Sequence, residues 1–150
     1  KETLRLTIVG DGPMKQVLKK KYKKESNIVF LGKIPHKEVN TVLNNSDLFL
    51  FCSIKEGGSH SLFEATMNNV PIACYNISGM LEFPKEDCAI KITPKNDIDD
   101  NINRLATKID EYYKSEEKIN LLCINGLTDI KTNYSWEKIS TKFINIYKII

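Results

Sequence analysis

Residues that build disulfide frameworks, metal centres and membrane spans are scarce in this sequence. Its 150 residues include only four cysteines and two histidines, and no two cysteines have the Cys-x-x-Cys spacing of a zinc or redox site. No run of about 18 apolar residues is present, and no segment resembles a signal peptide. These absences argue against a disulfide scaffold, a metal centre and a membrane-spanning protein. They favour reduced, buried thiols in a soluble cytosolic protein.

Net charge and length limit the possible protein classes further. The formal net charge is only +3, and the lysines are not interleaved with aromatic residues, so no nucleic-acid-binding surface is predicted. A chain of 150 residues that is 41% hydrophobic suits one globular domain with a real core. No repeat, low-complexity tract or internal linker interrupts it.

Apolar runs of strand length alternate with helical patterns along the chain. The predicted strands are 4–9, 27–31, 47–52, 71–75 and 88–92, and the predicted helices are 13–24, 35–45, 59–69, 96–113, 116–126 and 135–149. Strands separated by helices of this length predict a parallel sheet with helices on both faces. The predicted fold class is therefore α/β and Rossmann-like.

One stretch carries most of the functional information. Residues 56–65 read Glu-Gly-Gly-Ser-His-Ser-Leu-Phe-Glu-Ala, so that Glu56 and Glu64 are separated by seven residues rich in glycine and hydroxyl groups. The stretch follows one predicted strand and opens a helix that precedes the next strand. Open α/β sheets bind their ligands at such positions.

The geometry of that stretch predicts an anion site. A helix that begins near residues 59–61 offers backbone N–H groups with no intrahelical partner, together with the positive end of the helix dipole, and both attract phosphate. Side chains lean toward the start of their helix, so Glu64 reaches back to the same place, while Glu56 approaches from the preceding loop. This arrangement suits a ligand with phosphates and free hydroxyls, such as a nucleoside diphosphate sugar.

The stretch resembles the E-x7-E signature of glycosyltransferase family 4, also called glycosyltransferase group 1, whose members are retaining enzymes with the GT-B fold. Further segments resemble that family in the same order, and together they cover nearly the whole chain: 6–13 (a strand followed by Gly-x-Gly-Pro), 27–32, 47–53, 71–75 and 134–138. The resemblance implies that residues 1–150 are the C-terminal domain, which binds the donor nucleotide sugar, of an enzyme of polysaccharide biosynthesis. It also implies that UDP- or GDP-sugar is a substrate and that neither a cofactor nor a metal is required.

Site residues follow from the same resemblance. Glu56 and Glu64 are the expected catalytic residues, Glu64 on the ribose diol and Glu56 on the hydroxyls of the transferred sugar. The expected donor-binding residues are Gly57, Gly58, Ser59, His60, Ser61, Leu62, Gly32, Lys33, Ile34 and Glu82. Among these, backbone N–H groups of 60–62 face the leaving phosphate, main-chain atoms of 32–34 border the base, and Glu82 belongs to a Gly-x-x-Glu segment. A general-base role for the His60 side chain is the less favoured reading.

The resemblance also predicts parts that this chain does not contain. Relatives place one more βα unit and an N-terminal acceptor-binding domain before the segment that begins at Lys1. The Arg and Lys that clamp the donor diphosphate in relatives cannot be assigned here, because no Gly-Arg-x(n)-Lys-Gly pattern is present and only Arg5 and Arg104 are available. The absent strand would lie between strands 4–9 and 47–52, so we expect either direct pairing of these two or a gap filled by a second copy in a dimer. We further expect that this chain alone binds nucleotide weakly and transfers no sugar, and that a glycan or lipid-linked acceptor is read by the missing domain.

Several alternatives remain open. Glu56 and Glu64 can also be a loop charge and a helix-dipole partner without a catalytic role. Another GT-B enzyme, such as a UDP-sugar 2-epimerase, and a non-enzymatic nucleotide-binding or receiver-like α/β module are the alternative functions. The six lysines of residues 14–24 are read by default as a solvated helix face, with peripheral docking on the inner membrane face as the alternative.

Overall fold

Parallel strands alternate with helices in the structure, a computed structural model that describes residues 4–148. The elements are β1 (Leu6–Val9), α1 (Lys15–Lys21), β2 (Ile28–Gly32), α2 (His36–Asn44), β3 (Phe49–Phe51), α3 (His60–Met67), β4 (Ile72–Tyr75), a 3-10 turn (Ser78–Leu81), β5 (Ile90–Ile92), α4 (Ile98–Tyr113), α5 (Glu116–Asn133) and α6 (Trp136–Tyr147). The predicted α/β class and the predicted order of elements are confirmed. The predicted last residue of the final helix, 149, lies outside the described residues.

The strands form two parallel sheets instead of the single sheet that was predicted. β1 pairs with β2, and a second sheet has the order β3-β4-β5. No ladder joins β1 to β3 among the described residues, so direct pairing of these strands is not observed. The chain accordingly divides into two compact units, with the boundary after Val42.

The first unit is a β-α-β element built on two glycines. Gly10, with φ of 117°, follows β1, and its N–H donates to the carbonyl of Gly32 over 2.8 Å. Gly32 ends β2 with φ of 74°, and a Cβ there would lie 2.8 Å from Lys15 Nζ. The left-handed backbone favours glycine at position 32, and the missing side chain leaves room for the Lys15 ammonium. The Gly10 turn is therefore structural, as the sequence indicated.

Helix α1 is shorter than predicted. It ends at Lys21, with Tyr22 as its C-cap, so Lys23 and Lys24 lie beyond the helix. The cause is local: lysines fill its last turn and no residue of the helix is buried, so packing adds little to hold a further turn.

The core of the second unit lies between the three-stranded sheet and the two long helices. Ala73, Tyr75, Ile90 and Ile92 project from one face of the sheet, and they form a cluster with Leu105 of α4 and Leu122 of α5. All residues of β4 and β5 are buried, which is expected of parallel strands covered on both faces.

Helix α5 extends seven residues beyond its predicted end at position 126, finishing at Asn133. Gly126, the last residue of the predicted helix, lies inside α5. A Cβ at Gly126 would lie 2.9 Å from Thr66 Cγ2, so the missing side chain lets α5 approach α3 closely. Close packing between helices therefore explains this glycine.

The cysteines are free thiols, and one of them is not buried as predicted. Cys74, Cys88 and Cys123 are buried, whereas Cys52 is exposed. Cys52 follows the last residue of the short strand β3, so it begins a surface loop instead of continuing the strand. Within residues 4–148, no helix combines the length and the hydrophobicity needed to cross a bilayer.

Candidate functional site

The candidate site is built from two loops that leave neighbouring strands at the same edge of the sheet. The β3–α3 loop (residues 52–59) follows β3, and the β4–β5 loop (residues 76–89) follows β4. Two hydrogen bonds join these loops: the Gly79 N–H donates to the carbonyl of Glu56 over 2.8 Å, and Ser78 Oγ donates to the carbonyl of Ile54 over 3.2 Å. The backbone of Glu56 is therefore fixed by the loop of the next strand.

Glycine is required where these loops touch. A Cβ at Gly79 would lie 2.8 Å from the carbonyl oxygen of Glu56 and 2.9 Å from the carbonyl carbon of Gly57, both of them backbone atoms. Its neighbour Ser78 has φ of 52°, a left-handed conformation that is uncommon for serine. Strained backbone of this kind concentrates at functional sites. The turn is thus shaped for close approach to the β3–α3 loop.

Helix α3 begins at His60, as the sequence predicted. Its N-cap, Ser59, has extended backbone angles (φ −100°, ψ 119°), and its side chain caps no backbone N–H. Instead, Ser59 Oγ lies 2.6 Å from Ser61 Oγ. The first turn of the helix therefore has no hydroxyl cap of the usual kind and keeps N–H groups available for a ligand.

One of the three predicted phosphate donors has a backbone partner within its own turn. The N–H of Leu62 donates to the carbonyl of Ser59 over 3.1 Å, closing a tight first turn, and the Leu62 side chain is buried. Leu62 therefore serves the fold of this turn. The N–H groups of His60 and Ser61, which precede it, remain the candidates for contact with an anion.

The two glutamates of the stretch, Glu56 and Glu64, are both half-buried, and neither is enclosed in the hydrophobic interior. Glu64 lies four residues after His60, one turn further along the same face of α3. Among the other predicted donor-binding residues of this unit, Gly57, Gly58, His60 and Glu82 are exposed and Ser59 and Ser61 are half-buried.

Three residues predicted to border a base belong to the first unit. Gly32 is buried at the carboxyl end of β2, Lys33 is exposed and Ile34 is half-buried. Lys15, which sequence reasoning did not select, pairs with Asp11 beside Gly32, and its hydrogen bond lowers the pKa of the Asp11 carboxyl.

An aromatic cluster that the sequence did not reveal anchors the β4–β5 loop to α3. Phe83 stacks on Phe63 with ring centroids 4.1 Å apart and planes 2° from parallel. Tyr134 meets both rings edge-on at 5.2 Å, and its hydroxyl donates to the carbonyl of Glu82 over 3.3 Å. Phe63 lies inside the E-x7-E stretch, so the cluster couples that helix to the loop carrying Glu82.

A buried lysine, also missed at the sequence level, lies under the same loop. Lys91 occupies the middle of β5, and its ammonium donates to the carbonyls of Met80 and Pro84, each at 2.7 Å. A single lysine within the apolar run Ala89–Ile92 was the available signal. A charged residue in a strand buried on both faces needs dedicated partners.

One polar groove of the second unit contains none of the residues predicted for the site. It has a volume of about 560 Å³ and is lined mainly by polar residues of β5, of α4 and of the β4–β5 loop. Its cations are already used: Lys108 Nζ donates to the carbonyl of Lys91 over 2.6 Å, and Arg104 donates to that of Thr93 over 3.1 Å. These contacts cover the edge of β5, a common protection of a free strand edge. Within residues 4–148, no group of three or more His, Cys, Asp or Glu side chains is placed to hold a metal ion.

Comparison with known proteins agrees with the fold. The profile of the family described as Glycosyl transferases group 1 matches residues 1–125. Protein CapJ of Staphylococcus aureus is 39% identical over 79 residues, which cover 51% of this chain and 20% of that protein. O-antigen chain mannosyltransferase B of Escherichia coli is 25% identical over 127 residues, which cover 85% of this chain and 32% of that protein.

Solved structures extend the likeness to the backbone. A mutant of S. aureus TarM in complex with Fondaparinux, alpha-GlcNAc-glycerol and UDP superposes with a TM-score of 0.79 at 23% identity, over 95% of this chain and 29% of that one. Anabaena Alr3699/HepE in complex with UDP-glucose superposes with a TM-score of 0.76 at 16% identity, over 100% of this chain and 42% of that one. The chain thus spans well under half the length of these proteins.

Proposed function

Since this chain belongs to the glycosyl transferases of group 1, we propose that it is the donor-binding part of a retaining family 4 glycosyltransferase. In this proposal the full enzyme moves a hexose from a nucleoside diphosphate sugar to a hydroxyl acceptor. The observation that carries the proposal is the junction of the two loops at Glu56 and Gly79, which places the E-x7-E stretch beside the turn of the next strand. Ligands of open α/β sheets bind at such an edge.

The start of α3 would hold the leaving phosphate. When the nucleoside diphosphate departs from the anomeric carbon, negative charge builds on its phosphate, and preoriented N–H donors lower the barrier. The N–H groups of His60 and Ser61 supply such donors, and the helix dipole adds positive charge at the same place. Removing one donor of this type costs about 3–4 kcal/mol of transition-state stabilisation.

The carboxylates would position the remaining parts of the donor. Glu64 accepts hydrogen bonds from the ribose diol, and Glu56, with the backbone of 57–59, holds hydroxyls of the transferred sugar. Glu82 would contact the same sugar, which is supported by its position in the loop fixed against Glu56 through Gly79. The role of residues 32–34 at the base stays a prediction about the first unit.

Donor and acceptor classes are supported by the relatives. Complexes of HepE with UDP-glucose and of TarM with UDP support a UDP-sugar donor, with a GDP-sugar as the alternative. The O-antigen mannosyltransferase supports a hexose as the transferred group and a surface polysaccharide as the product. We assign recognition of the glycan or lipid-linked acceptor to a separate N-terminal domain, because the chain covers only 20% to 42% of these relatives. The proposed compartment is the cytoplasm, where sugar nucleotides are available.

Charge asymmetry supports peripheral docking on an anionic membrane. Residues 1–42 carry ten basic and four acidic side chains, a net charge of +6, whereas residues 43–150 carry twelve basic and fifteen acidic ones, a net charge of −3. Basic groups near an anionic leaflet contribute about 1 kcal/mol each. Sedimentation with phosphatidylglycerol vesicles, but not with phosphatidylcholine vesicles, is the expected result. Replacing Lys19, Lys20 and Lys21 by Gln should abolish it.

Calorimetry of this chain with UDP, GDP, UDP-glucose and GDP-mannose tests the donor site. We expect either UDP and UDP-glucose or GDP and GDP-mannose to bind. E64Q should weaken that binding at least tenfold, because the group that accepts from the ribose diol loses its charge. The matched control is E117Q, which alters an exposed carboxylate in the first turn of α5. Equal affinities of E64Q and E117Q would contradict the role of Glu64. A chain that binds none of the four compounds would contradict the proposed function and favour the alternative of a module without a nucleotide site.

A further inference from the structure

The ammonium of Lys91 is buried beneath the turn that closes the candidate site. Its side chain is 1% exposed, and Nζ donates to the carbonyls of Met80 and Pro84 at 2.7 Å and lies 3.8 Å from Glu86 Oε1. All three acceptors belong to the β4–β5 loop. Since a buried ammonium is unfavourable unless its donors are paired, the lysine and this loop conformation depend on each other.

The loop held by Lys91 is the loop that touches the E-x7-E stretch. Met80 follows Gly79, whose N–H donates to the carbonyl of Glu56, and it precedes Glu82 by two residues. A continuous series of contacts therefore runs from Lys91 through Met80 and Gly79 to Glu56. The carbonyl of Met80 lies in the final part of a 3-10 turn, where a cation also complements the dipole of the turn.

We propose that Lys91 is a positioning residue for the sugar half of the donor: it fixes the β4–β5 loop so that Glu56 and Glu82 are held for the hydroxyls of the transferred sugar. The inference rests on the proposed function. It adds a residue outside the E-x7-E stretch and a division of labour: in the proposed function the first turn of α3 contacts the phosphates, whereas the loop contact that Lys91 supports reaches Glu56 through Gly79.

The neighbours of Lys91 support a positional role over simple core packing. Ile90 and Ile92, on either side, are buried and apolar, and an apolar residue at position 91 would fill the strand without burying a charge. An apolar side chain, however, cannot donate hydrogen bonds to the two loop carbonyls that Lys91 contacts. The charge is therefore explained by the loop that it holds.

Calorimetry on this chain with UDP and UDP-glucose, and with GDP and GDP-mannose, measures the separate contribution of the sugar. We expect K91M to weaken binding of the nucleotide sugar at least tenfold while the nucleotide alone changes less than threefold. K91R should restore most of the difference. The matched control is K108M, because Lys108 donates to the backbone carbonyl of Lys91 in the same strand and its hydrogen bond does not involve the loop; it should change neither affinity more than twofold.

Amide hydrogen exchange supplies a readout that needs no ligand. The N–H of Gly79 should exchange at least tenfold faster in K91M than in the wild type, and no faster in K108M. Should K91M fail to fold, K91Q, which keeps one amide donor, carries the same comparison. If nucleotide and nucleotide sugar weaken equally, or if exchange at Gly79 is unchanged, the positioning role is refuted. If the wild type binds none of the four probes, the proposed function fails, and exchange at Gly79 decides separately whether Lys91 orders the loop.

Discussion

Gly79 and Glu56 meet backbone to backbone at the edge of the sheet, with 2.8 Å between the nitrogen of one and the carbonyl oxygen of the other. They belong to loops that leave adjacent parallel strands, β4 and β3. The contact excludes a side chain at position 79 and fixes the carbonyl that precedes Gly57. The first carboxylate of the E-x7-E stretch therefore depends on a glycine 23 positions later in the chain.

We predict that G79A disrupts this junction. Because the atoms nearest to the new Cβ are backbone atoms that cannot rotate away, the loops must separate, at a cost of about 1–3 kcal/mol in the free energy of unfolding. Urea denaturation followed by circular dichroism measures this change. G57A is the matched control, since a Cβ at Gly57 meets nothing within 4 Å. Equal stability of the two variants would contradict the steric argument.

Periodicity and turn residues predicted the elements well but not how the strands join. The order of strands and helices followed from apolar runs separated by polar helical stretches, and the start of α3 followed from the glycine- and serine-rich turn before His60. The division into two sheets depends on hydrogen bonds between strands far apart in sequence, which local patterns do not specify.

The site shows the same contrast between local and distant contacts. The loop and helix start in residues 56–65 could be predicted from that stretch alone, because the spacing of Glu56 and Glu64 reflects a loop and one helical turn. The partners that fix them come from other elements: Gly79 and Phe83 from the β4–β5 loop, and Tyr134 from the end of α5. The family resemblance marked the segments that contain Gly79 and Tyr134, but no local pattern shows which residues these three contact. The role of Gly126 likewise depends on a distant contact, with Thr66 in another helix.

We predict that Phe83 is a main anchor of the β4–β5 loop. F83L removes the stacked ring from Phe63 and the edge contact with Tyr134, so we expect a loss of about 1–2 kcal/mol in the free energy of unfolding. F143L is the control, because Phe143 is 57% exposed and should tolerate leucine. Thermal denaturation compares the two variants. Similar melting temperatures would contradict the anchoring role.

Buried thiols predict a loss of stability at alkaline pH. Burial raises the pKa of the Cys74 thiol from its ordinary value of 9.0 to about 11, and burial together with the hydrogen bond to Asp87 raises that of Cys88 to about 12. Above pH 9 the unfolded chain releases these protons while the folded chain keeps them, so stability falls as pH rises and is unaffected by these groups below about pH 8. For Cys74 the loss approaches about 1–3 kcal/mol by pH 11.

The variant C74A isolates that contribution. Its own stability is lower at every pH, but its decline between pH 8 and pH 10.5 should be shallower than that of the wild type, because one thiol with a raised pKa is gone. Urea titrations at several pH values give both slopes. Parallel slopes would show that Cys74 does not titrate differently in the folded and unfolded chains.

The crossing of α5 over α3 gives the last prediction. In G126A the new Cβ would lie 2.9 Å from Thr66 Cγ2, and Thr66 cannot rotate freely, because its hydroxyl donates to the carbonyl of Leu62 over 2.9 Å and its side chain is buried. The helices must move apart, so we expect a loss of about 1–3 kcal/mol in the free energy of unfolding despite the higher helix propensity of alanine.

The double variant G126A/T66S separates steric conflict from other effects. Serine keeps the hydroxyl that donates to Leu62 and lacks the methyl group that meets the new Cβ, so most of the stability lost in G126A should return. A coupling of at least about 0.5 kcal/mol between the two substitutions is expected for side chains in direct contact. Additive effects in the urea-denaturation cycle would show that position 126 tolerates a side chain, and that the glycine is not what brings α5 against the helix carrying Glu64.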